Sequence, residues 1–580
     1  MNLKYYPMKQ AVNFFLILFL FVFTPFYAFP AGKKAIVGCH IVNPTGAPSL
    51  ENAVIIIQDG KIIYVGKVGE VELPNDVEII DARGKWVIPG LIDSHIHFFQ
   101  SGGIYTRPDI LNLTKYVPYE DELQKIKDEL PRTFARYLRN GITSVVDMGG
   151  PFWNFEIRKQ AEETLLAPRV AVAGPLISTY NPEALQSDDS PIIKVNSIDE
   201  AKALVKKQVE HNTDFIKIWY IVRSGQSPAD NFELVKATAE EAHKYKKPVI
   251  IHATSLETAK AAIRAGADIL AHSIYDQEVD DEFIQLCKKN KIIYSTTVIV
   301  TEGYLEALSG KVHLSPAEYA LSDPYIASSL FDLKKLPKDA APARSNEWIQ
   351  KRKSRIAFAQ KNIKKLQDAG IIIAANTDAG NIGTLPGPSI FREFDLLAEA
   401  GLTPQQIITA ATLNNAKLMQ RENELGSVEK GKLADLLILN TNPLLDILNT
   451  SDIYKVVKNG HVFSPEEIIP SSPEDIVQQQ VNAYNGLDIN AFMATYHSEI
   501  KIYNHPNTII YDSPEKMRER YKALFENNPE QHCEIVERIT IGNFVIDKEK
   551  VTGRANGKVV NAVAVYEVKD GLIYRVWFIK

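Results

Sequence analysis

A chain of 580 residues with 45% apolar side chains is long enough for more than one domain, each with a sizeable core. Its formal net charge of −6 leaves no basic footprint, which argues against nucleic acid as a partner. Cys39, Cys287 and Cys533 are far apart and form neither a disulfide pattern nor a metal-binding spacing, so any bound metal must rely on histidine, carboxylate or an unusual ligand.

In chain order, the first segment carries Lys4 and Lys9, then the apolar run AVNFFLILFLFVFTPFYAFPA with small residues near Ala28 and Ala31. This predicts a secretory signal peptide over 1–31 and an exported body, periplasmic or secreted. The alternative is an uncleaved membrane anchor, because the run approaches spanning length. No cysteine closes the run, which speaks against a lipoprotein anchor.

Residues 33–90 show short β-rich pieces punctuated by turns, with Asp59-Gly60 as a hairpin signal. The same texture returns over 426–463, where Asn459-Gly460 is a second such signal. The two flanks are expected to pair into one composite β-sandwich domain. Between them, 91–425 alternates apolar strands with amphipathic helices. Strands are predicted at 91–97, 142–148, 169–174, 214–220, 248–252, 268–272, 292–298 and 371–378, with helices between most of them. Eight such units predict an α/β fold, a (β/α)8 TIM-like barrel. An open doubly wound sheet is the alternative, but no Gly-rich dinucleotide fingerprint follows an early strand. Residues 299–344 are expected to form an irregular insertion over the barrel mouth, and 468–475 (IIPSSPED) a linker. Beyond it, 474–580 opens on an amphipathic helix and continues in strands, an α+β domain.

The ends of the barrel strands carry the chemistry. His95 and His97 close the first strand, and residues two apart on a strand point the same way, so both imidazoles can reach one ion. An isolated His-x-His is more often a surface or core pair. Here Lys217 lies near the end of the fourth strand, while His252, His272 and Asp378 end the fifth, sixth and eighth. In a barrel these ends converge on one mouth. Packing alone does not explain five strands each delivering a ligand type at the same end. A buried strand-end lysine must find a carboxylate, lose its proton or be modified. An uncharged amine can take up carbon dioxide as a carbamate, whose two oxygens can bridge two metals; a salt bridge to a nearby acid is the plainer alternative.

The ordered set DSHIH, FIKI, IIH, LAH and NTDAG resembles the amidohydrolase superfamily over about 33–463. The segments FREFDLLAEAGLTPQQIITAATLNNAKLM and LGSVEKGKLADLLIL are similar to its prolidase-like and imidazolonepropionase-related members. The resemblance implies two divalent metal ions, most often zinc: one held by His95, His97 and Asp378, the other by His252 and His272, with carbamylated Lys217 as bridge. It implies hydrolysis of an amide C–N bond by a metal-bridged hydroxide, with Asp378 moving the proton to the leaving nitrogen. Tyr220 is the candidate oxyanion donor, with aromatic packing at the barrel rim as its alternative role.

Two departures bear on substrate. Members of the superfamily often follow the last-strand aspartate with a His-Gly pair, where this chain has Pro386-Gly387. Its deaminases place glutamate three residues after the fifth-strand histidine, where this chain has Ser255, so deamination is disfavoured. Lys217 favours the two-metal, peptidase-like members. The tail resembles the cone-shaped SnoaL-like fold through AFMATYHSEIKIYNHP; isomerases of that fold place an aspartate before the proline, and here it is His505. Ligand binding or dimerisation is therefore expected of the tail rather than isomerase chemistry. The predicted substrate is a small-molecule amide, a dipeptide or other N-acyl amino acid. The alternatives are a cyclic amide or imide, or a non-catalytic sensing protein on a degenerate barrel.

Overall fold

The first sheet is set by its turns. Asp59 (φ 49°) with Gly60 (φ 76°), and Asn459 (φ 50°) with Gly460 (φ 75°), adopt consecutive left-handed conformations, which match the twist of the flanking strands. They join Leu50–Gln58 to Lys61–Lys67 and Ile453–Lys458 to His461–Phe463. The N-terminal and C-terminal flanks meet where Trp86–Pro89 pairs antiparallel with Leu436–Leu439, from Trp86 opposite Leu439 to Pro89 opposite Leu436. The resulting eight-stranded sheet closes over Ile36, Ile55, Ile57, Val87 and Leu436, all inaccessible to solvent. The structure, a computed structural model, describes residues 32–337 and 339–579; the segment read as an export signal lies outside them. Among the described residues no helix is long and apolar enough to cross a membrane.

Eight parallel strands form the barrel: Leu91–Ile96, Ile142–Asp147, Arg169–Val172, Ile216–Trp219, Val249–His252, Ile269–Ala271, Ile293–Ser295 and Ile372–Ala374. Two continuous ladders, one of the first three strands and one of the last five extended by the short strands Leu176–Ser178 and Ile192–Lys194, are joined by single bridges between Ala173 and Phe215 and between Ile96 and Ala379. Strand three breaks after Val172 and resumes as Leu176–Ser178 beside strand four. Apolar helices cover the outside, where Phe134, Leu138, Val205, Ala239, Phe283 and Ile363 are buried in one core.

The insertion is helical, not irregular. It contains Val298–Ser309, Pro316–Leu321 and Pro324–Ser329, so the predicted strand 292–298 ends at Ser295. Ser315 and Asp323 cap the latter two helices, with proline in the first turn of each, where a missing N–H is harmless. The linker is equally ordered: Ser472 caps Pro473–Asn485, and Asn482 Nδ2 of that helix donates to the Pro324 carbonyl at 2.7 Å. The tail thus packs on the insertion. Its six-stranded sheet and three helices enclose Phe492, Tyr521, Tyr484 and Phe525, whose rings fill the cone interior. His505 sits in an exposed turn after Tyr496–Asn504.

Candidate metal centre

The barrel is closed at its mouth by the segments that carry the ligands. Asp378 N donates to the His95 carbonyl at 2.6 Å, and His97 N to the Ala379 carbonyl at 2.9 Å. This zipper places the carboxylate beside both imidazoles: Asp378 Oδ1 lies 3.0 Å from His97 Nε2 and 3.5 Å from His95 Nε2. On the other side Asp378 Oδ2 is 3.6 Å from His272 Nδ1. The His272 ring stands 4.7 Å from that of His95 and 4.4 Å from that of His252, centroid to centroid. Lys217 is fully buried at the same mouth.

Backbone geometry aims two of these side chains. His272 (φ 76°) and Asp378 (φ 58°) both occupy the left-handed region, a conformation that costs a residue with a Cβ about 1–3 kcal/mol. Each turns the chain sharply as its strand ends. Gly380 is required for a different reason: a Cβ there would lie 2.6 Å from the His97 carbonyl oxygen. Behind the ligands, Asp93 accepts from Thr377 Oγ1 at 2.5 Å and from its backbone N–H at 3.2 Å, and Asn376 Oδ1 accepts from Ser94 N at 2.6 Å. His97 Nδ1 contacts the Gly149 carbonyl at 2.6 Å, with Asp147 at 3.9 Å, so its other nitrogen faces Asp378.

The electrostatics suit metal ligation. Burial, with Lys217 and neighbouring imidazoles adding to it, holds His95 and His272 well below the ordinary imidazole range. Burial and Lys217 likewise bring His252 down to about 3. All three are thus neutral, the form that binds metal. Burial pushes the Lys217 amine down to about 7, against the pull of Asp378. Among the described residues Lys217 forms no ion pair, and its Nζ makes a hydrogen bond to Met148 Sδ at 3.6 Å. The salt-bridge alternative is not seen.

Both ring nitrogens of His95 and Oδ1 of Asp378 are buried without a hydrogen-bond partner. Ligand atoms of His95, His272 and Asp378 lie within 4.8 Å of one another, a set that could hold a metal ion. It draws on both of the expected ligand groups, so the tightest cluster runs across the mouth rather than along one strand.

Tyr220 is not brought to this centre. Its hydroxyl donates to the Pro228 carbonyl, and its ring joins Ile216 and Ile218 in the outer core. Lys217 and Trp219 face the barrel interior, and alternation along the strand turns Tyr220 away. The mouth opens instead into a cavity of about 250 Å³ bordered by Arg107, Tyr304, Arg352, Arg355 and Asn381, none of which the sequence reading singled out. Tyr304 donates to Asn381 Oδ1 at 2.7 Å, and Arg107 makes a two-point ion pair with Asp109 at 2.8 and 2.7 Å. Arg352 and Arg355 have no carboxylate within ion-pair distance among the described residues; Arg355 lies over the Tyr275 ring at 4.7 Å.

A barrel flanked by a β-sandwich, with imidazoles, a carboxylate and a buried lysine gathered at its mouth, defines a hydrolase that works through bound metal. The chain belongs to the amidohydrolase family, which residues 86–463 match; residues 477–576 match a SnoaL-like domain. It is therefore an enzyme of carbon–nitrogen bond hydrolysis. It is 26% identical over 479 residues to ochratoxinase of Aspergillus niger, covering 76% of this chain and 88% of that one. Imidazolonepropionase of a Geobacillus species (strain WCH70) is 24% identical over 455 residues, covering 71% and 90%. Among solved structures, a Xaa-Pro dipeptidase with methionine in its active site aligns with a TM-score of 0.57 at 23% identity, over 74% of this chain and all of that one. The A. niger ochratoxinase structure gives 0.57 at 22%, over 74% and 95%.

Proposed function

We propose that this chain hydrolyses the amide bond of a substrate bearing a free carboxylate, a dipeptide or other N-acyl amino acid, at a centre of two divalent metal ions. The observation that carries the substrate class is the pair Arg352 and Arg355, uncompensated by acids, in the same cavity as the imidazoles and Asp378. The orphaned atoms of His95 and Asp378 fit a bound cation, and His95, His97, His252, His272 and Asp378 would hold the ions. Zinc suits a set of imidazoles and carboxylate. Lys217, buried and without an acid partner, is proposed as the carbamylated bridge.

When bound, such ions supply charge stabilisation and an acidified water. The protein's own part is then clear. Arg352 and Arg355 hold the substrate carboxylate and fix the scissile carbonyl over the centre. Asp378, adjacent to both imidazoles of the first strand, accepts a proton at Oδ1 and returns it to the leaving nitrogen. Tyr304, whose hydroxyl donates to Asn381 Oδ1 in the free enzyme, would turn that one proton to the oxyanion and take the donor role first considered for Tyr220, with Arg107 still donating to Asn381. With an export signal over 1–31, the reaction would take place outside the cytoplasm.

The test combines metal analysis of the purified chain with a screen of dipeptides, N-acyl amino acids, their C-terminal amides and cyclic amides. Close to two metal ions per chain is expected, with turnover of carboxylates well above that of the matching amides. No bound metal, or no preference between carboxylate and amide, sinks the proposal. Faster cyclic-amide hydrolysis would instead support the second reading, which the imidazolonepropionase likeness carries.

A further inference from the structure

A second and larger cavity, about 610 Å³, lies between the barrel and the tail. Its walls come from the helix Tyr119–Asp128, the insertion helix Pro324–Ser329, the tail helix Pro473–Asn485 and the tail's edge strand His532–Ile541. His97 and Gln100 border both this chamber and the mouth cavity.

Its charge is opposite to that of the mouth. Seven carboxylates face it against three cations. Two of those cations are already matched: Arg538 binds Asp547 at 2.7 and 2.6 Å, and Lys335 binds Asp332 at 2.9 Å. Lys125 is the third. From outside the chamber, Lys550 approaches Glu534 at 3.6 Å and Arg132 approaches Glu129 at 4.0 Å. Asp121, Glu122, Glu474 and Glu537 have no cation within ion-pair distance among the described residues, although Ser101 donates to Glu122 and Tyr325 to Glu474. An apolar panel of Ile126, Ile326, Ile535 and Val536 completes the lining.

A second observation points to a ligand. Gln100 Oε1 is buried without a partner, on a side chain 4% exposed, and so is Nδ1 of His532, 2% exposed. Burial, with Lys335 and Lys334 adding to it, brings His532 down to about 4. Its imidazole is therefore neutral, with one nitrogen able to accept. Glu129 Oε2, with Arg132 Nε no nearer than 4.0 Å, is a third buried acceptor without a hydrogen-bond donor. Orphaned acceptors in a net-negative, part-apolar chamber call for an occupant that donates N–H bonds and carries positive charge.

We propose that this chamber binds a small organic ammonium with an aromatic or aliphatic body, and that the tail domain serves as its outer wall. The apolar panel takes the body, and the acidic rim with Gln100 Oε1 takes the ammonium. This site needs no metal and no amide substrate, although it shares His97 and Gln100 with the mouth cavity as a common wall.

The probe is phenethylammonium, with 3-phenylpropionate as a matched anion and calcium chloride as a bare cation, titrated calorimetrically into the full chain before and after chelation. One phenethylammonium per chain is expected in both preparations, with at least tenfold weaker binding of the anion and no competition from calcium. Val536, 52% exposed on the edge strand, can be enlarged without disturbing a core. Val536→Trp is expected to weaken binding at least tenfold, and Glu129→Gln about threefold or more. Equal binding of cation and anion, displacement by calcium, loss on chelation, or binding indifferent to Val536→Trp each overturns the assignment. Loss of amide hydrolysis without loss of phenethylammonium binding would count against the catalytic proposal alone.

Discussion

Barrel and tail each bury a cluster of ionisable side chains, but they treat it differently. In the tail, Glu549 accepts from Tyr566 at 2.6 Å, Asp547 takes both arms of Arg538, and Asn485 closes two bonds with the Cys533 backbone at 2.7 and 3.0 Å. In the barrel, both nitrogens of His95 and Oδ1 of Asp378 lie close to one another and to His97, yet none of them has a hydrogen-bond partner. An orphaned buried polar atom costs about 1–3 kcal/mol, so a fold retains it where an occupant repays the loss. The tail cluster is structure; the barrel cluster is a site.

The sharpest way to break this contrast is to exchange one carboxylate from each cluster. Asp378→Asn should lower kcat/KM by about 10²–10⁴-fold, the range for losing a positioned acid–base group, with little change in the unfolding midpoint. Asp547→Ala should do the reverse. It strands the buried Arg538 guanidinium and should cost about 3–5 kcal/mol in urea unfolding, while the folded fraction keeps its turnover. If Asp378→Asn unfolds the chain and Asp547→Ala does not, the clusters have been assigned the wrong way round.

The candidate ligand positions were legible because they sit on or just after strands, where alternation and a common end make geometry readable from spacing. His95, His97, Lys217, His252, His272 and Asp378 all border the centre for that reason. Tyr220 failed on the same rule: three residues beyond Lys217, it has opposite parity and faces the outer core. The insertion helices carried a signal in Ser315-Pro316 and Asp323-Pro324, since a capping residue followed by proline opens a helix. Arg107, Arg352, Arg355 and Tyr304 had no such signal. They reach the cavity from a loop, from the insertion helix Val298–Ser309 and from the barrel helix Asn346–Asp368, and only the tertiary packing of those elements brings them together.

A smaller effect sharpens the substrate side of the comparison. Replacing Arg355 by alanine should raise KM for an N-acyl amino acid about 10–100-fold, the loss of one charge-assisted contact, and leave the C-terminal amide nearly unchanged. Kinetics on the two substrates in parallel decide it. A KM that rises equally for both would mean that Arg355 shapes the cavity rather than binding a carboxylate.

The smallest expected effect concerns the tail's internal carboxyl. Burial raises Glu549 to about 7, against the hydrogen bond from Tyr566 that favours the ionised form. Because its folded value lies above the ordinary 4.5, the folded state holds this proton more tightly than the unfolded chain does. The stabilisation is fully present below pH ~4.5 and is lost as pH rises through about 7. It is worth roughly 1–3 kcal/mol. Asp93, Asp147 and Glu393 in the barrel are raised to about 7 by burial as well, so the parent chain alone does not isolate the effect. Glu549→Gln does: a neutral isostere keeps the bond to Tyr566 and removes one titration. The difference in urea-unfolding free energy between variant and parent should therefore shift in favour of the variant between pH 4.5 and 7, and stay constant on either side. A difference that does not vary with pH would mean that Glu549 is ionised in the fold, and that the tail cluster holds a charge it does not neutralise.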